Sequence, residues 1–144
     1  MTSVPENEEV APTPEAAASG LAAERTRRIN RIDAMRAAGV NPYPYRFDRT
    51  HTLGEIREQH GHLEAGNETE TRVTVAGRIL LKRDQGKLIF CTIRDRAADI
   101  QLFISKSVVG DTEFDEINEL DLGDWVGVTG LVMTTRKGEL SIKV

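Results

Sequence analysis

Between residues 72 and 105, apolar and polar residues alternate in three consecutive runs. A period of two is the spacing of half-buried β-strands. In the first run Val73, Val75, Ile79 and Leu81 fall on one side, and Gly77 interrupts them. A glycine inside a strand predicts a bend or bulge there. Asp84-Gln85-Gly86-Lys87 is a turn. In the second strand, over 88–93, Ile89, Cys91 and Ile93 share one face, and Leu88, Phe90 and Thr92 share the other. The third, over 99–105, places Ile100, Leu102 and Ile104 opposite Gln101 and Phe103. The face with Cys91 and the isoleucines and leucines is the core side, so Phe90, Gln101 and Phe103 are expected to point outward.

The period then lengthens. Phe114, Ile117 and Leu120 recur at helical spacing, predicting a short amphipathic helix over 111–120. A turn at 121–124 leads to a strand over 125–134 that contains Gly127 and Gly130, and a turn at 135–138 leads to a last strand over 139–144. Three strands, a helix and two strands, in that order, is the layout of a mainly β, five-stranded OB-fold Greek-key barrel with a helix between strands 3 and 4. Glycines in strands 1 and 4 suit its curvature. Such barrels bind across strands 2 and 3, between the 1–2 and 4–5 turns. Those turns carry Lys87, Arg136 and Lys137 here, with Lys82 and Arg83 just before the first.

Upstream, good helix formers predict a helix over 21–38, with Gly39 as its cap. Its apolar stripe of Ile29, Ile32 and Met35 is crowded by Arg25, Arg28 and Arg36. Two uses fit that pattern: a helix packed loosely on a neighbouring domain or subunit, or a basic arm, with Arg25, Arg28 and Arg31, along an RNA backbone. Asn41-Pro42-Tyr43-Pro44-Tyr45 stops this helix as a stiff connector bearing two rings. Thr52-x-x-Glu55 has the form of a capping box opening a helix over 53–60. Residues 61–70 read as a linker. Residues 1–20, rich in Pro, Ala, Glu and Ser without an aromatic, read as a disordered acidic tail. The expected organisation is thus a tail (1–20), a helical extension with its linker (21–70), and the barrel (71–144).

Charge sharpens this picture. The net charge is −4, which argues against a nucleic-acid partner only if it is evenly spread. It is not. Residues 25–57 and residues 72–109 each carry eight bases against three acids, whereas residues 110–124 carry seven acids and no base. Local field, not net charge, attracts phosphate. Two outward aromatics, an amide and nearby arginines are the components of a single-stranded nucleic-acid site. The single cysteine, Cys91, excludes an internal disulfide framework and suits a reducing cytosol, where the protein is expected. With no histidine at a fitting distance it reads as a small core residue rather than a nucleophile. His51, His60 and His62 lack metal-site spacing, so no metal site is expected. Asp95 and Asp99 are explained by a turn. No apolar run is long enough to span a bilayer and no secretory signal pattern opens the chain, so no membrane partner is expected.

Four stretches together, GVNPYPYRFDRTHT, VTVAGRILLKRDQGKLIFCTIRD, IQLF, and LDLGDWVGVTG with TRKGELSIKV, carry a resemblance over residues 25–144. The sequence resembles the N-terminal anticodon-binding region of class II lysyl-tRNA synthetases, most closely the bacterial ones. NPYP after a basic helix favours the lysyl enzymes over their aspartyl and asparaginyl relatives. The resemblance implies that the barrel grips a tRNA anticodon loop. Phe90 matches the aromatic that stacks on the middle uridine, Gln101 the amide that reads its edge, Arg83 a basic contact and Glu139 an anticodon-side carboxylate. Arg83 is awkward, because strict alternation puts it on the core side with Leu81 unless the strand breaks its regularity.

No Gly-rich phosphate loop, HxGH-like motif or acidic magnesium cluster occurs in the sequence. Taken alone the chain is therefore expected to be a binding part and not an enzyme, and to need no cofactor. The resemblance implies ATP, Mg²⁺ and a homodimer for a full-length lysine–tRNA ligase. A stand-alone tRNA or single-stranded RNA-binding protein, the anticodon domain of an aspartyl or asparaginyl relative, and a subunit-interface module are the alternatives.

Overall fold

The structure is a computed structural model that describes residues 14–44 and 46–144. Residues 1–13 of the expected tail, and Tyr45 of the expected two-ring connector, lie outside the described residues. The chain forms two compact units, Met1–Tyr45 and Arg46–Val144.

In the first unit α1 spans Pro14–Ala37. It starts earlier than the pattern predicts, so residues 14–20 are helical rather than tail. Proline is accommodated in a first helical turn, and Glu and Ala after it are good helix formers. At its end Val40 N–H donates to the Met35 carbonyl at 2.9 Å and Gly39 N–H to that of Arg36 at 3.0 Å, a Schellman cap.

The second unit holds α2 (Leu53–His60), β1 (Glu68–Asp84), β2 (Leu88–Arg94), β3 (Asp99–Ser105), α3 (Lys106–Val109), α4 (Asp111–Asn118), β4 (Trp125–Thr134) and β5 (Leu140–Lys143). The strands close in the order β1-β2-β3-β5-β4, with β3 and β5 parallel and the other pairs antiparallel. Val73, Val75, Ile79, Ile89, Cys91, Ile93, Ile100, Leu102, Ile104, Val132 and Ile142 fill the barrel. Burial pushes the Cys91 thiol up, although nearby Lys82 opposes the shift. Leu53 and Ile56 of α2 are fully buried in the same core, so the boundary expected at residue 70 falls inside this unit. Phe114 of α4 plugs the barrel from the segment between β3 and β4.

β1 makes the closure. Its first half pairs with β4 as far as Arg78↔Trp125, and from Arg78↔Arg94 onward it pairs with β2. One residue is left out of the second ladder: Ile79 faces Ile93 but Leu81 faces Thr92. The bulge therefore sits at Leu80, not at Gly77, and it reverses the alternation beyond it. Leu81, expected in the core, is 62% exposed. Gly130 serves contact rather than curvature. A Cβ there would collide with the Lys143 carbonyl, so a side chain would push β5 off β4.

Candidate nucleic-acid interface

The bulge decides which residues share the outer surface. Beyond it Arg83 stands opposite Phe90, and Phe90 opposite Phe103; directly opposed residues share a face of the sheet. The Arg83 guanidinium carbon lies 5.4 Å from the centre of the Phe90 ring. Phe103 forms a T-shaped pair with the same ring, with centroids 5.3 Å apart and planes at 78°. Two residues along the strands, Thr92 stands opposite Gln101, and Gln101 opposite Ser141 of β5. The Gln101 side chain is half-buried, and among the described residues its amide makes no hydrogen bond.

Two turns wall this face. In the β1–β2 turn Gln85 N–H donates to the Leu88 carbonyl at 2.8 Å and Gly86 N–H to the Asp84 carboxylate at 3.0 Å. In the β4–β5 turn Thr135 N–H donates to the Glu139 carbonyl at 2.9 Å, and Glu139 N–H to Thr135 Oγ1 at 3.1 Å. Gly86 and Gly138 sit at φ +76° and +86°, a region that favours glycine. Between the turns lies a cleft of 290 Å³ lined by Arg83, Gln85, Phe90, Gln101, Phe103, Thr135, Arg136, Lys137 and Glu139. Ring faces offer stacking, the free amide offers one donor–acceptor edge, and exposed Arg83, Arg136 and Lys137 offer positive charge to phosphates. Glu139 tempers that charge on one wall, and Arg57 Nη2 of α2 approaches its carboxylate at 3.7 Å.

Of the residues singled out in the sequence, Phe90, Gln101, Arg83, Glu139, Arg136 and Lys137 line this one cleft. Lys87 is exposed in the adjoining turn. Lys82 is a correction. It stands opposite Cys91, on the inner side, and its ammonium donates to the Leu120 carbonyl at 2.8 Å and to that of Asn118. The reversal that frees Arg83 turns Lys82 inward, where it neutralises the carbonyl end of α4. Arg25, Arg28 and Arg31 belong to α1, in the other unit. Arg28 and Arg27 both bind the Glu24 carboxylate at 2.7 Å and hold its pKa down at about 2.

Two residues have roles at this face that the sequence pattern did not assign. Phe103, placed outward by parity, is the edge partner of Phe90. Arg57 fixes α2 through its Nε bond to the Asp99 carbonyl, 2.6 Å long. Asp95 supports the other end of α2. Its carboxylate accepts from Leu53 N–H at 2.8 Å and from Ala97 and Ala98 N–H at 2.8 and 3.0 Å. Desolvation works against its charge, but these three backbone donors together with the charge of Arg49 outweigh it and lower its pKa. Asp99 is bound in a fork by Arg94, at 2.6 and 2.9 Å.

A closed five-stranded barrel with half-buried aromatics and an unpaired amide on β2 and β3, flanked by cations of β1 and the β4–β5 turn, defines a single-strand nucleic-acid-binding OB domain. Comparison with known sequences agrees. The family model for the tRNA anti-codon group, described as an OB-fold nucleic acid binding domain, matches residues 73–144, and the chain belongs to that family. It is 42% identical over 118 residues to the lysine–tRNA ligase of Enterococcus faecalis, covering 81% of this chain and 24% of that protein. It is 40% identical over 125 residues to that of Thermosynechococcus vestitus (83% and 25%). Identity to the chloroplastic/mitochondrial lysine–tRNA ligase of Arabidopsis thaliana is 36% over 124 residues (83% and 21%). The chain thus spans about a quarter of the length of the curated relatives it matches.

Proposed function

We propose that this chain binds the anticodon loop of a tRNA, a lysine-specific one by its relatives' activity, as the RNA-recognising part of a lysine–tRNA ligase. The observation that carries the reading is the convergence of Phe90, Gln101, Arg83 and Glu139 on one cleft. A base laid on the open side of Phe90 presents its edge toward Gln101. That amide can donate to a uracil carbonyl while accepting from the uracil N3–H. Arg83, Arg136 and Lys137 hold the phosphates on either side, and Glu139 favours a base edge that donates. In the whole enzyme, lysine would be activated with ATP and Mg²⁺ and joined to tRNA by a separate catalytic part, in a cytoplasmic homodimer. Among the described residues no cluster of His, Cys, Asp and Glu fits a metal ion.

The test is a titration of two anticodon stem-loops that differ only in a central uridine or cytidine. A two-point edge contact is worth about 1–3 kcal/mol of discrimination. The uridine loop should therefore bind roughly 5- to 150-fold more tightly. Equal affinities would overturn the base-reading role.

A further inference from the structure

The pairing of a β1 arginine with an aromatic ring on the outer wall of the barrel occurs twice. Arg83 lies over Phe90 in the cleft, and Arg78 lies 5.1 Å from the ring centre of Trp125. Trp125 is 65% exposed. Among the described residues no carboxylate pairs with Arg78, so its charge is available to a ligand.

The register places both sites on the outer wall of the barrel, on either side of β1. Arg83, Phe90 and Phe103 form one outward row; Leu81, Thr92 and Gln101 form the next; Arg78, Arg94 and Asp99 form a third, and Trp125 stands beside Arg78 on β4. Phe90 and Arg94 are four residues apart, roughly 13 Å along a strand, and Trp125 lies two strands across from Arg94, about 10 Å. Along the curved wall of the closed barrel the two ring-bearing positions are then separated by a path of roughly 16 Å, too long for one base and within reach of a strand a few nucleotides long that follows the wall. Arg94 is held by Asp99 between them, which leaves Arg78 to meet a phosphate at the far end. The acidic segment 110–124 borders this end, so a phosphate chain is steered along β1 and β2 rather than over α4.

We propose that Trp125, capped by Arg78, is a second base-stacking site, which receives a nucleotide of the same RNA strand beyond the one on Phe90. The proposal rests on the RNA-binding reading above and extends the track past the cleft. A stacked ring is sequence-tolerant, so this site adds affinity without adding base choice.

Trp125 is the chain's only tryptophan, so its fluorescence reports on this site. The experiment titrates an eight-uridine strand into the full chain and into its Trp125→Ala, Trp125→Phe, Arg78→Gln and Phe90→Ala variants, with sedimentation and thermal melting of each. Quenching of the indole is expected on binding. Trp125→Ala should weaken the strand by about 5- to 150-fold, Trp125→Phe should recover most of that, and Arg78→Gln should lower the salt dependence. Quenching should persist at saturation in Phe90→Ala. If Trp125→Ala binds as tightly as the parent while Phe90→Ala is weakened, the second site does not exist and the cleft reading stands. If neither variant changes affinity, both readings fail. If Trp125→Ala instead converts a self-associated chain to monomer, the patch is a protein contact and the proposal is overturned.

Discussion

Phe90→Ala separates binding from packing, because the half-buried ring both packs against its neighbours and lines the cleft. The ring forms a T-shaped pair with Phe103 and lies under the Arg83 guanidinium. An edge-to-face pair contributes about 0.5–1.5 kcal/mol beyond buried area. A cation over a ring at a partly exposed site contributes about 0.5–1 kcal/mol. Loss of both should destabilise the folded chain by roughly 1–2.5 kcal/mol, and each kcal/mol moves Tm by about 4–8 °C in a domain of this size. As a base platform the ring would add stacking worth about 1–3 kcal/mol, or roughly 5- to 150-fold in Kd. Anisotropy of a labelled central-uridine stem-loop, at one fixed salt concentration and well below Tm, reads the second effect apart from the first. Phe103→Ala is the control. It removes the same ring pair and should lower Tm similarly, with a smaller loss of affinity. Phe90→Tyr keeps both the face and the edge. If Phe90→Ala bound the uridine loop as tightly as the parent while melting earlier, Phe90 would be a packing residue and the stacking argument would be wrong.

Other consequences are open to measurement. Replacing both Arg136 and Lys137 by Ala should weaken RNA binding and flatten the log–log salt slope by about 0.7 for each phosphate no longer neutralised, with Tm unchanged; an unaltered slope would remove the β4–β5 turn from the interface. Lys82→Met should lower stability by about 1 kcal/mol by freeing the carbonyls at the end of α4, and a parallel drop in RNA affinity would contradict its inward placement. Asp95→Ala should cost about 1–3 kcal/mol at neutral pH by leaving three backbone donors unpaired. Because the fold lowers the pKa of Asp95, its contribution is complete above the unfolded value near ~3.9 and fades as pH falls through the folded value. Denaturation curves of parent and variant should therefore converge in acid, and a constant gap down to low pH would show that the charge is not what binds α2.

The strands that alternate strictly are legible in the sequence alone. β3 and β4 have the predicted limits, and the Thr52–Glu55 capping box is present with both of its reciprocal bonds. Parity by itself places Phe90, Gln101 and Phe103 outward. What escapes the sequence is set by tertiary pairing. The segment from Glu68 to Glu70 looks like a polar linker, yet it is strand, with Glu68 paired to Met133 of β4. The bulge needs no glycine, so nothing in the composition of Ile79-Leu80-Leu81 reveals it, and the sides of Leu81, Lys82 and Arg83 depend on it. The short α3 carries too few residues for a helical period. Trp125 reads in one dimension as the first residue of a strand; its bearing on the site depends on β1 changing partners at Arg78.

That change of partners also governs when the cleft can exist. β3 gains its second neighbour only from β5, with Gln101 pairing with Ser141, and β1 gains its other neighbour only from β4, with Glu68 pairing with Met133. These contacts join residues far apart in the chain, and topologies dominated by such contacts fold slowly, in milliseconds to seconds. The β4–β5 turn cannot wall the cleft until the ring has shut. During refolding, recovery of RNA affinity should therefore coincide with the last barrel-closing phase and trail the formation of the β1–β2–β3 meander, whose contacts are local. Affinity for RNA is, in this chain, a clock for completion of the fold.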